Sequence, residues 1–373
     1  MRVLNYLELA DRLDRAGIGT AAAQQRAALA RADADVEVVT SPWRGADGPP
    51  DGESGGGDES GDGPLSAVET ALRTVARAGT PFREYDLAHC NLVGPGSVAV
   101  ARHAERTGRP LVLHSHVTSE DFRDSFRGSN AVAPALGRYL RWFYSQADLV
   151  LCPSEYTRSR LRSYPVDAPI RAVSNGVDLD GLDGHERLRE AYRDRYDLRG
   201  TAVFAVGNVF ERKGLTEFCR VARDTDHEFA WFGTYDTGPR ASSTVRRWVR
   251  DPPSNVTFTG WIDDKRGAFG AGDVFLFPSK VENQGLVVLE AMACGVPCVL
   301  RDIPVFREFY EDGHDCLLCS THEEFVAAVD RLAADPGLRR RLGENARETA
   351  NEHSLDRVGE ELVAAYRSLL GGV

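Results

Sequence analysis

The sequence predicts an α/β protein with two doubly wound parallel-sheet domains, each Rossmann-like, that face each other across a cleft. Short apolar runs alternate with helical patterns along the whole chain, which is typical of parallel sheets covered by helices. The alternation breaks at Asn175-Gly176, a turn pair of the kind that separates structural units. A chain of 373 residues is long enough for two domains, each with its own core.

These observations place the N-terminal domain at residues 1–175 and the C-terminal domain at residues 176–353, with a last helix at 354–373. The segment 45–63 is acidic, rich in glycine and has only one alanine as an apolar residue. Such a segment cannot bury enough apolar surface to fold. We therefore expect a disordered surface insertion there.

The charge pattern is acidic and poor in lysine. The formal net charge is −11, and the three lysines are Lys213, Lys265 and Lys280, so arginine carries most of the positive charge. This balance favours a protein adapted to high salt, as in halophiles, over an ordinary acidic cytosolic protein. It argues against nucleic acid as the main partner.

The cysteines and the N-terminus indicate an intracellular location. The seven cysteines are scattered, and the pair Cys316 and Cys319 lies in an apolar strand without a second pair, so core thiols are favoured over a metal site. The first 17 residues are too charged for a signal peptide, and no apolar run is long enough to span a membrane. We expect a protein of the cytoplasm or of the inner face of the cell membrane.

The most informative stretch runs from a strand at 274–278 to Gly295. A polar loop with Glu282 is followed by an apolar helix that begins at Leu286 and carries Glu290 as its one charge. Free backbone N–H groups at a helix start suit an anion, and a buried carboxylate needs a partner. The two carboxylates could hold both ends of a nucleotide diphosphate-sugar; the alternative is a buried helix with a salt-bridged glutamate.

Two glycine-containing or basic turns each follow a predicted strand. Gly17 and Gly19 form part of a strand–turn–helix pattern that can cradle phosphate, although a plain turn explains it equally well. Arg212 and Lys213 follow the strand at 202–207, and adjacent cations in such a loop suit a diphosphate. Taken alone, the dipeptide is more simply explained as two solvated surface cations.

A histidine pair ends the strand at 110–116. A side chain at the carboxyl end of a parallel strand faces the ligand crevice of a doubly wound sheet. His116 could therefore handle a proton or contact sugar hydroxyls, with a structural hydrogen bond as the alternative and His114 as the less favoured partner.

Together these motifs resemble a known enzyme family. The E-x7-E spacing of Glu282 and Glu290, the CGVP turn after the apolar helix, the SNGVD string at 174–178 and Lys213 before a glycine resemble the retaining glycosyltransferases of family 4. Those enzymes have the GT-B fold, and the resemblance covers nearly the whole chain. It implies that the last helix crosses back onto the N-terminal domain.

The resemblance also implies site residues and roles. Glu290 would hold the ribose, Glu282 the sugar, and Trp261 with Ile262 the nucleobase, although these last two are equally well explained as core strand residues. The implied catalytic residues are His116 and Glu282, and the implied donor-binding residues are Gly17, Gly19, Arg212, Lys213, Trp261, Ile262, Asn283, Gln284, Gly285, Leu286 and Glu290. No metal and no other cofactor is expected, because nothing resembles a DxD metal motif in a plausible site.

Two segments depart from the family pattern. Many members carry an arginine directly after the strand that ends at Gly207, whereas this chain has Asn208, and Arg212 is the expected replacement. The segment 301–304 (RDIP) differs from the glycine-rich loop that many members have there.

The acceptor is indicated by a narrower resemblance. The strings HSHVTSEDFRDSF and QADLVLCPSEYT resemble the branch of the family that glycosylates diacylglycerol-type lipids. Between them, the segment 138–144 interleaves arginine with large aromatics, which suits an anionic membrane surface, although a packed helix with solvated arginines is slightly favoured on its own. The residues concerned are Arg138, Tyr139, Arg141, Trp142, Phe143 and Tyr144.

The expected function is a retaining transfer of a hexose from a nucleotide diphosphate-sugar, preferably a UDP-sugar, to a lipid or lipid-linked acceptor at the cytoplasmic membrane face. One alternative is transfer to a soluble, polysaccharide or glycoprotein glycan. Alternatives of other classes are a GT-B epimerase or phosphorylase and a non-catalytic nucleotide-sugar-binding protein.

Overall fold

A computed structural model describes residues 1–8, 10–13, 16–42, 82–116, 129–164, 166–238 and 241–371. The acidic segment 45–63 lies outside the described residues, as does most of the string that follows His116. The described chain forms two parallel sheets of six strands each, as the alternation of apolar runs predicts.

The N-terminal sheet contains the first six strands in the order β2-β1-β3-β4-β5-β6, and every neighbouring pair is parallel. The strands are β1 (Arg2–Tyr6), β2 (Glu37–Val39), β3 (Leu87–Cys90), β4 (Leu111–His114), β5 (Leu149–Cys152) and β6 (Ile170–Ala172). The order reverses between β1 and β3, so the carboxyl ends of these strands border the ligand crevice that such a reversal creates.

The C-terminal sheet has the order β12-β11-β10-β7-β8-β9 and is also parallel throughout. Its strands are β7 (Ala202–Val206), β8 (Glu228–Phe232), β9 (Val256–Gly260), β10 (Val274–Phe277), β11 (Cys298–Arg301) and β12 (Cys316–Cys319). The order reverses between β7 and β10, which brings the basic loop after β7 beside the loop that carries Glu282.

Helices cover both sheets. In the first half they are α1 (Ala10–Leu13), α2 (Gly17–Ala32), α3 (Pro95–Thr107), α4 (Ser129–Tyr144) and α5 (Glu155–Arg162). In the second half they are α6 (Arg189–Arg195), α7 (Leu215–Arg223), α8 (Ser243–Arg250), α9 (Arg266–Ala271), α10 (Leu286–Ala293), α11 (Pro304–Phe309), α12 (His322–Ala334), α13 (Pro336–Glu352) and α14 (Leu355–Leu369).

The last helix, α14, packs against the N-terminal sheet. Its Leu362 and Tyr366 are buried in one apolar cluster with Leu29 of α2 and Val112 of β4. At Gly359 the two helices approach so closely that an added Cβ would lie 2.3 Å from the carbonyl oxygen of Ala28. The chain therefore returns to its first half at its end, as the resemblance implies.

One local feature differs from the sequence-based expectation. Residues 17–20 were expected to form a turn before the helix, but they form the first turn of α2, and neither Gly17 nor Gly19 has a positive φ. The segment 301–304, which departs from the glycine-rich loop of many family members, connects β11 to α11, and Pro304 begins α11 at a position where its missing N–H costs nothing. The seven cysteines are buried and free, which confirms core-filling thiols.

His322, at the start of α12, binds two carboxylates: Glu217 lies in α7, and Asp224 directly follows it. The imidazole nitrogens of His322 lie 2.7 Å from Glu217 Oε1 and 2.7 Å from Asp224 Oδ2. The hydrogen bonds with Asp224 and Glu217 raise the pKa of His322 above its ordinary value. Folded His322 therefore binds its proton more tightly than unfolded His322 does.

This arrangement makes stability depend on pH in one direction. The contribution of His322 is fully present below its unfolded pKa of about 6.5 and is lost as the pH rises through the higher folded value. We expect the difference in urea unfolding free energy between the natural chain and H322Q to shrink as the pH is raised from about 6 to about 9. A difference that stays constant over this range would contradict the ion pairs.

Candidate active site

The loops after β7 and β10 are packed tightly together at the reversal point of the C-terminal sheet. Gly214 follows a short 3₁₀ turn at Glu211–Lys213 with φ 85°, and an added Cβ there would lie 2.2 Å from the carbonyl oxygen of Pro278. Arg212 Nη1 donates to the carbonyl of Val281 at 2.9 Å. Glycine is therefore needed before α7, and the two loops are fixed relative to each other.

Glu282 is buried between the two loops and is bound by basic and polar groups. Its Oε1 lies 2.6 Å from Lys213 Nζ, 2.7 Å from Ser279 Oγ and 3.7 Å from Arg212 Nη1, and the residue is 7% exposed. Burial alone would raise the pKa of Glu282, but Lys213 and Arg212 and the hydrogen bonds from Lys213 and Ser279 lower it below its ordinary value. Glu282 is therefore a carboxylate at neutral pH.

Helix α10 presents a free N-terminus and a second buried carboxylate. Gly285 occupies its N-cap position with φ 87°, so no capping side chain competes for the N–H groups that begin at Leu286. Glu290 is 6% exposed, and its Oε1 lies 2.6 Å from Lys265 Nζ. The expectation that this carboxylate needs a partner is confirmed.

The lysine partner of Glu290 was not anticipated from the sequence. The rarity of lysine in the sequence could have indicated Lys265 as a partner. Each of the three lysines binds a carboxylate at this edge of the C-terminal domain. The third pair joins Lys280 Nζ to Glu211 Oε1 at 2.6 Å.

His116 lies two residues beyond the end of β4, where the N-terminal domain meets the loop that carries Glu282. Its carbonyl oxygen accepts a hydrogen bond from Asn283 Nδ2 at 3.1 Å. Its ring nitrogen Nε2 lies 3.0 Å from Asn91 Oδ1. Burial lowers the pKa of His116 to about 3, so its imidazole is neutral at physiological pH.

Asn283 and Gln284 join the two domains. The carbonyl oxygen of Asn283 accepts from Ser154 Oγ at 2.7 Å, while the Gln284 side chain accepts from the backbone N–H of Asn175 at 2.9 Å and donates to Ser174 Oγ at 2.6 Å. Both ends of the Gln284 amide are thus used at the domain junction. A direct contact of Gln284 with the donor stays a prediction.

The remaining predicted residues lie in both domains. Trp261 is 42% exposed after β9, whereas Ile262 is buried in the apolar cluster of the C-terminal domain, which suits its alternative interpretation as a core residue. Asn208 is bound locally, because its Oδ1 accepts from Thr234 Oγ1 at 2.6 Å. Gly17 and Gly19 lie in the first turn of α2, and their contact with a donor stays a prediction.

The structure thus brings Arg212, Lys213, Glu282 and the start of α10 together at one point. Two buried carboxylates, each bound to a lysine, flank a helix N-terminus that can receive an anion. Such a set can bind hydroxyl groups on either side of a diphosphate and stabilise negative charge between them.

Comparison with known proteins identifies the family. The description "Glycosyltransferase Family 4" matches residues 15–180, and "Glycosyl transferases group 1" matches residues 200–335. A processive diacylglycerol alpha-glucosyltransferase of Acholeplasma laidlawii is 32% identical over 298 residues, which cover 78% of this chain and 87% of that protein. The chain belongs to glycosyltransferase family 4. It is a hexosyltransferase by this relationship.

Solved structures show that this family 4 glycosyltransferase has the GT-B fold. Sucrose-phosphate synthase of Thermosynechococcus elongatus superposes with a TM-score of 0.77 at 20% identity, covering 100% of this chain and 99% of that one. Anabaena HepE in complex with UDP and glucose superposes with a TM-score of 0.70 at 17% identity, covering 98% and 99%. The fold class predicted from the sequence is therefore confirmed.

Proposed function

We propose that this glycosyltransferase moves a hexose from a UDP-sugar to a lipid or lipid-linked acceptor, with retention of the anomeric configuration and without a metal ion. The observation that carries the proposal is the pairing of Lys213 with Glu282 and of Lys265 with Glu290 on either side of the α10 N-terminus. Groups that can stabilise the charge of a diphosphate and groups that can bind hydroxyls therefore lie at the same edge of the sheet.

In this mechanism the leaving diphosphate is stabilised by fixed positive groups. Arg212, Lys213 and the N–H groups at Leu286 face the bridging oxygen on which charge develops as the bond to the sugar breaks. Glu290 binds the ribose hydroxyls, and Glu282 binds the sugar hydroxyls. Trp261 covers the base, and Gly17 and Gly19 approach the diphosphate from the other domain.

Relatives support the choice of donor and acceptor. Anabaena HepE has been solved with UDP and with UDP-glucose, which favours a uridine nucleotide. The Acholeplasma relative is named for diacylglycerol as its acceptor, which favours a lipid. A retaining outcome rests on the family resemblance.

The site for a lipid surface is α4. Arg138 and Trp142 lie one turn apart on its exposed side, and Trp142 is 46% exposed. Positive and aromatic side chains on one helix face suit an anionic membrane surface. Among the residues that the structure describes, no helix is both long and apolar enough to cross a bilayer.

We expect R138Q to weaken binding to anionic phosphatidylglycerol vesicles about fivefold, because one arginine near such a surface contributes about 1 kcal/mol. The matched control is R341Q, which removes an exposed arginine of α13 in the other domain. Vesicle sedimentation in moderate salt measures both variants. Equal binding by R138Q and the natural chain would exclude α4 from the membrane contact.

A panel of sugar donors and acceptors tests which molecule receives the hexose. The protein is incubated in high KCl, which also tests the proposed salt adaptation, with UDP-glucose, UDP-galactose or GDP-mannose and diacylglycerol vesicles or a soluble glycan mixture. Mass spectrometry of the organic and aqueous phases then locates the sugar. Hexose in the organic phase supports the lipid acceptor, and hexose on the soluble glycans alone would overturn it while keeping the enzyme class. EDTA is expected to leave the rate unchanged.

A further inference from the structure

Behind His116 lies a buried chain of polar side chains that the donor site does not explain. His116 Nε2 is 3.0 Å from Asn91 Oδ1, and Asn91 Nδ2 donates to Asn5 Oδ1 at 3.2 Å. Asn5 Nδ2 donates to Gln25 Oε1 at 3.4 Å, and Gln25 Nε2 lies 2.9 Å from His114 Nδ1. The chain thus links β1, β3 and β4 with α2.

Ring stacking closes this row of polar side chains into a loop. The ring of His114 stacks on that of His116, with centroids 4.1 Å apart and planes at 11°. Asn5, Gln25, Asn91 and His114 are all buried, whereas His116 at the end of the chain is only partly buried. A buried network of hydrogen bonds of this kind holds its members in one arrangement, so it fixes the orientation of His116, the member that is partly exposed.

We propose that Asn91 is a positioning residue that holds His116 in the neutral tautomer with its proton on Nε2, so that Nδ1 accepts a hydrogen bond from a hydroxyl of the bound sugar or acceptor. The argument is one of donors and acceptors. Because the Asn91 amide nitrogen donates to Asn5, its oxygen faces His116 and requires an N–H there. The inference rests on the proposed function, in which His116 contacts the sugar.

Within the described part of the chain, two histidines lie close to His116. The described titratable groups that face it are His114 on its own strand and His89 on β3, and His89 in turn lies 2.6 Å from the Tyr366 hydroxyl of α14. Burial lowers the pKa of both histidines and raises that of Tyr366, so all three are neutral at physiological pH. Neutral His116 accepts a hydrogen bond from a hydroxyl group through Nδ1, and it does not act as a proton donor.

The position of His116 is also fixed from the opposite domain. Its carbonyl oxygen accepts from Asn283 Nδ2, while its ring is held by Asn91. Backbone and ring are therefore held by separate contacts, and a change at Asn91 acts on the ring while the contact of the backbone with Asn283 stays in place.

Two variants test the role of Asn91. N91L removes the acceptor, and we expect kcat to fall about tenfold with unchanged UDP affinity, as for the loss of one hydrogen bond. N91D places a carboxylate beside Nε2, which favours the imidazolium and raises the pKa of His116. Protonated Nδ1 cannot accept, so kcat of N91D should fall up to about fourfold as the pH drops from about 8.5 to about 5.5, relative to the natural chain over the same range.

The matched control is N345D, because Asn345 also lies beside a histidine, 3.3 Å from His314 Nδ1, but on α13 outside the site. It should keep the natural pH profile. If N91D keeps that profile as well, or if both Asn91 variants lower only the melting temperature and not kcat, the positioning role is overturned.

A second measurement needs no turnover and no variant of Asn91. In ¹⁵N-histidine spectra of the natural chain, with His116 assigned by comparison with H116Q, we expect a protonated Nε2 and an unprotonated Nδ1 from about pH 5.5 to about pH 8. A proton on Nδ1 would overturn the proposal. Because this result does not depend on activity, failure of the proposed transfer and failure of the tautomer assignment can be told apart.

Discussion

Replacement of Lys213 by methionine is expected to lower kcat about a hundred- to thousandfold and to destabilise the fold at the same time. The first effect follows because Lys213 supplies charge to the leaving diphosphate, and one such donor is commonly worth this factor. The second follows because Lys213 lies 2.6 Å from the buried carboxylate of Glu282, which loses its main counter-charge. Removing one partner of a buried ion pair costs roughly 3 kcal/mol.

The double variant K213M/E282Q separates the two effects. It removes the unpaired charge together with its partner, so most of the lost unfolding free energy should return while kcat stays low. Urea unfolding and initial rates measure the two quantities on the same samples. Recovery of activity together with stability would show that Lys213 serves only to neutralise Glu282.

Replacement of Glu290 by glutamine is expected to lower kcat/KM for the UDP-sugar about a hundredfold. The carboxylate is buried beside Lys265 and is assigned to the ribose hydroxyls, and hydrogen bonds to a charged group contribute roughly 1.5–3 kcal/mol each. Because the ribose is bound before and during the reaction, much of the loss should appear in KM.

The control for this variant is E344Q, which changes an exposed glutamate of α13 in the same domain. Titration of UDP into each protein measures affinity, and initial rates with the UDP-sugar measure turnover. Activity of E290Q equal to that of E344Q would contradict the assignment of the ribose site.

The pattern of the sequence was sufficient to predict the fold. The strand at 274–278 and the apolar helix after it are seen as β10 and α10, because a run of buried residues bounded by polar turns has few alternatives. The first turn of α2 was mistaken for a loop because glycine is a weak helix former, and it continues a helix whose later residues Ala28 and Leu29 pack in one cluster with α14. The domain boundaries at residues 175 and 353 stay predictions.

The site was predictable only in part. Glu282, Glu290 and Lys213 were identified by their spacing and by the resemblance, and the structure places the first two in buried ion pairs. Lys265 and Asn91 could not be assigned, because their partners Glu290 and His116 are 25 residues distant in sequence in each case. Contacts of this kind depend on how the strands are ordered.

The engagement of Gln284 has the same cause. Its amide binds Ser174 and Asn175, more than 100 residues earlier in the chain, because the two domains meet at the loop that carries Glu282. A local motif does not specify that meeting. The sequence therefore indicated the loop of the candidate site, whereas the contacts of this loop with the other domain depend on how the two domains are arranged.

The most direct test of the central claim is the turnover of a UDP-sugar in the presence of EDTA, measured as released UDP together with hexose recovered on the lipid acceptor. The account predicts that the natural chain and E344Q release UDP and transfer the hexose, whereas E290Q and K213M/E282Q lose nearly all of this activity. Equal turnover by E290Q and the natural chain, or an intact UDP-sugar with the natural chain, would contradict it.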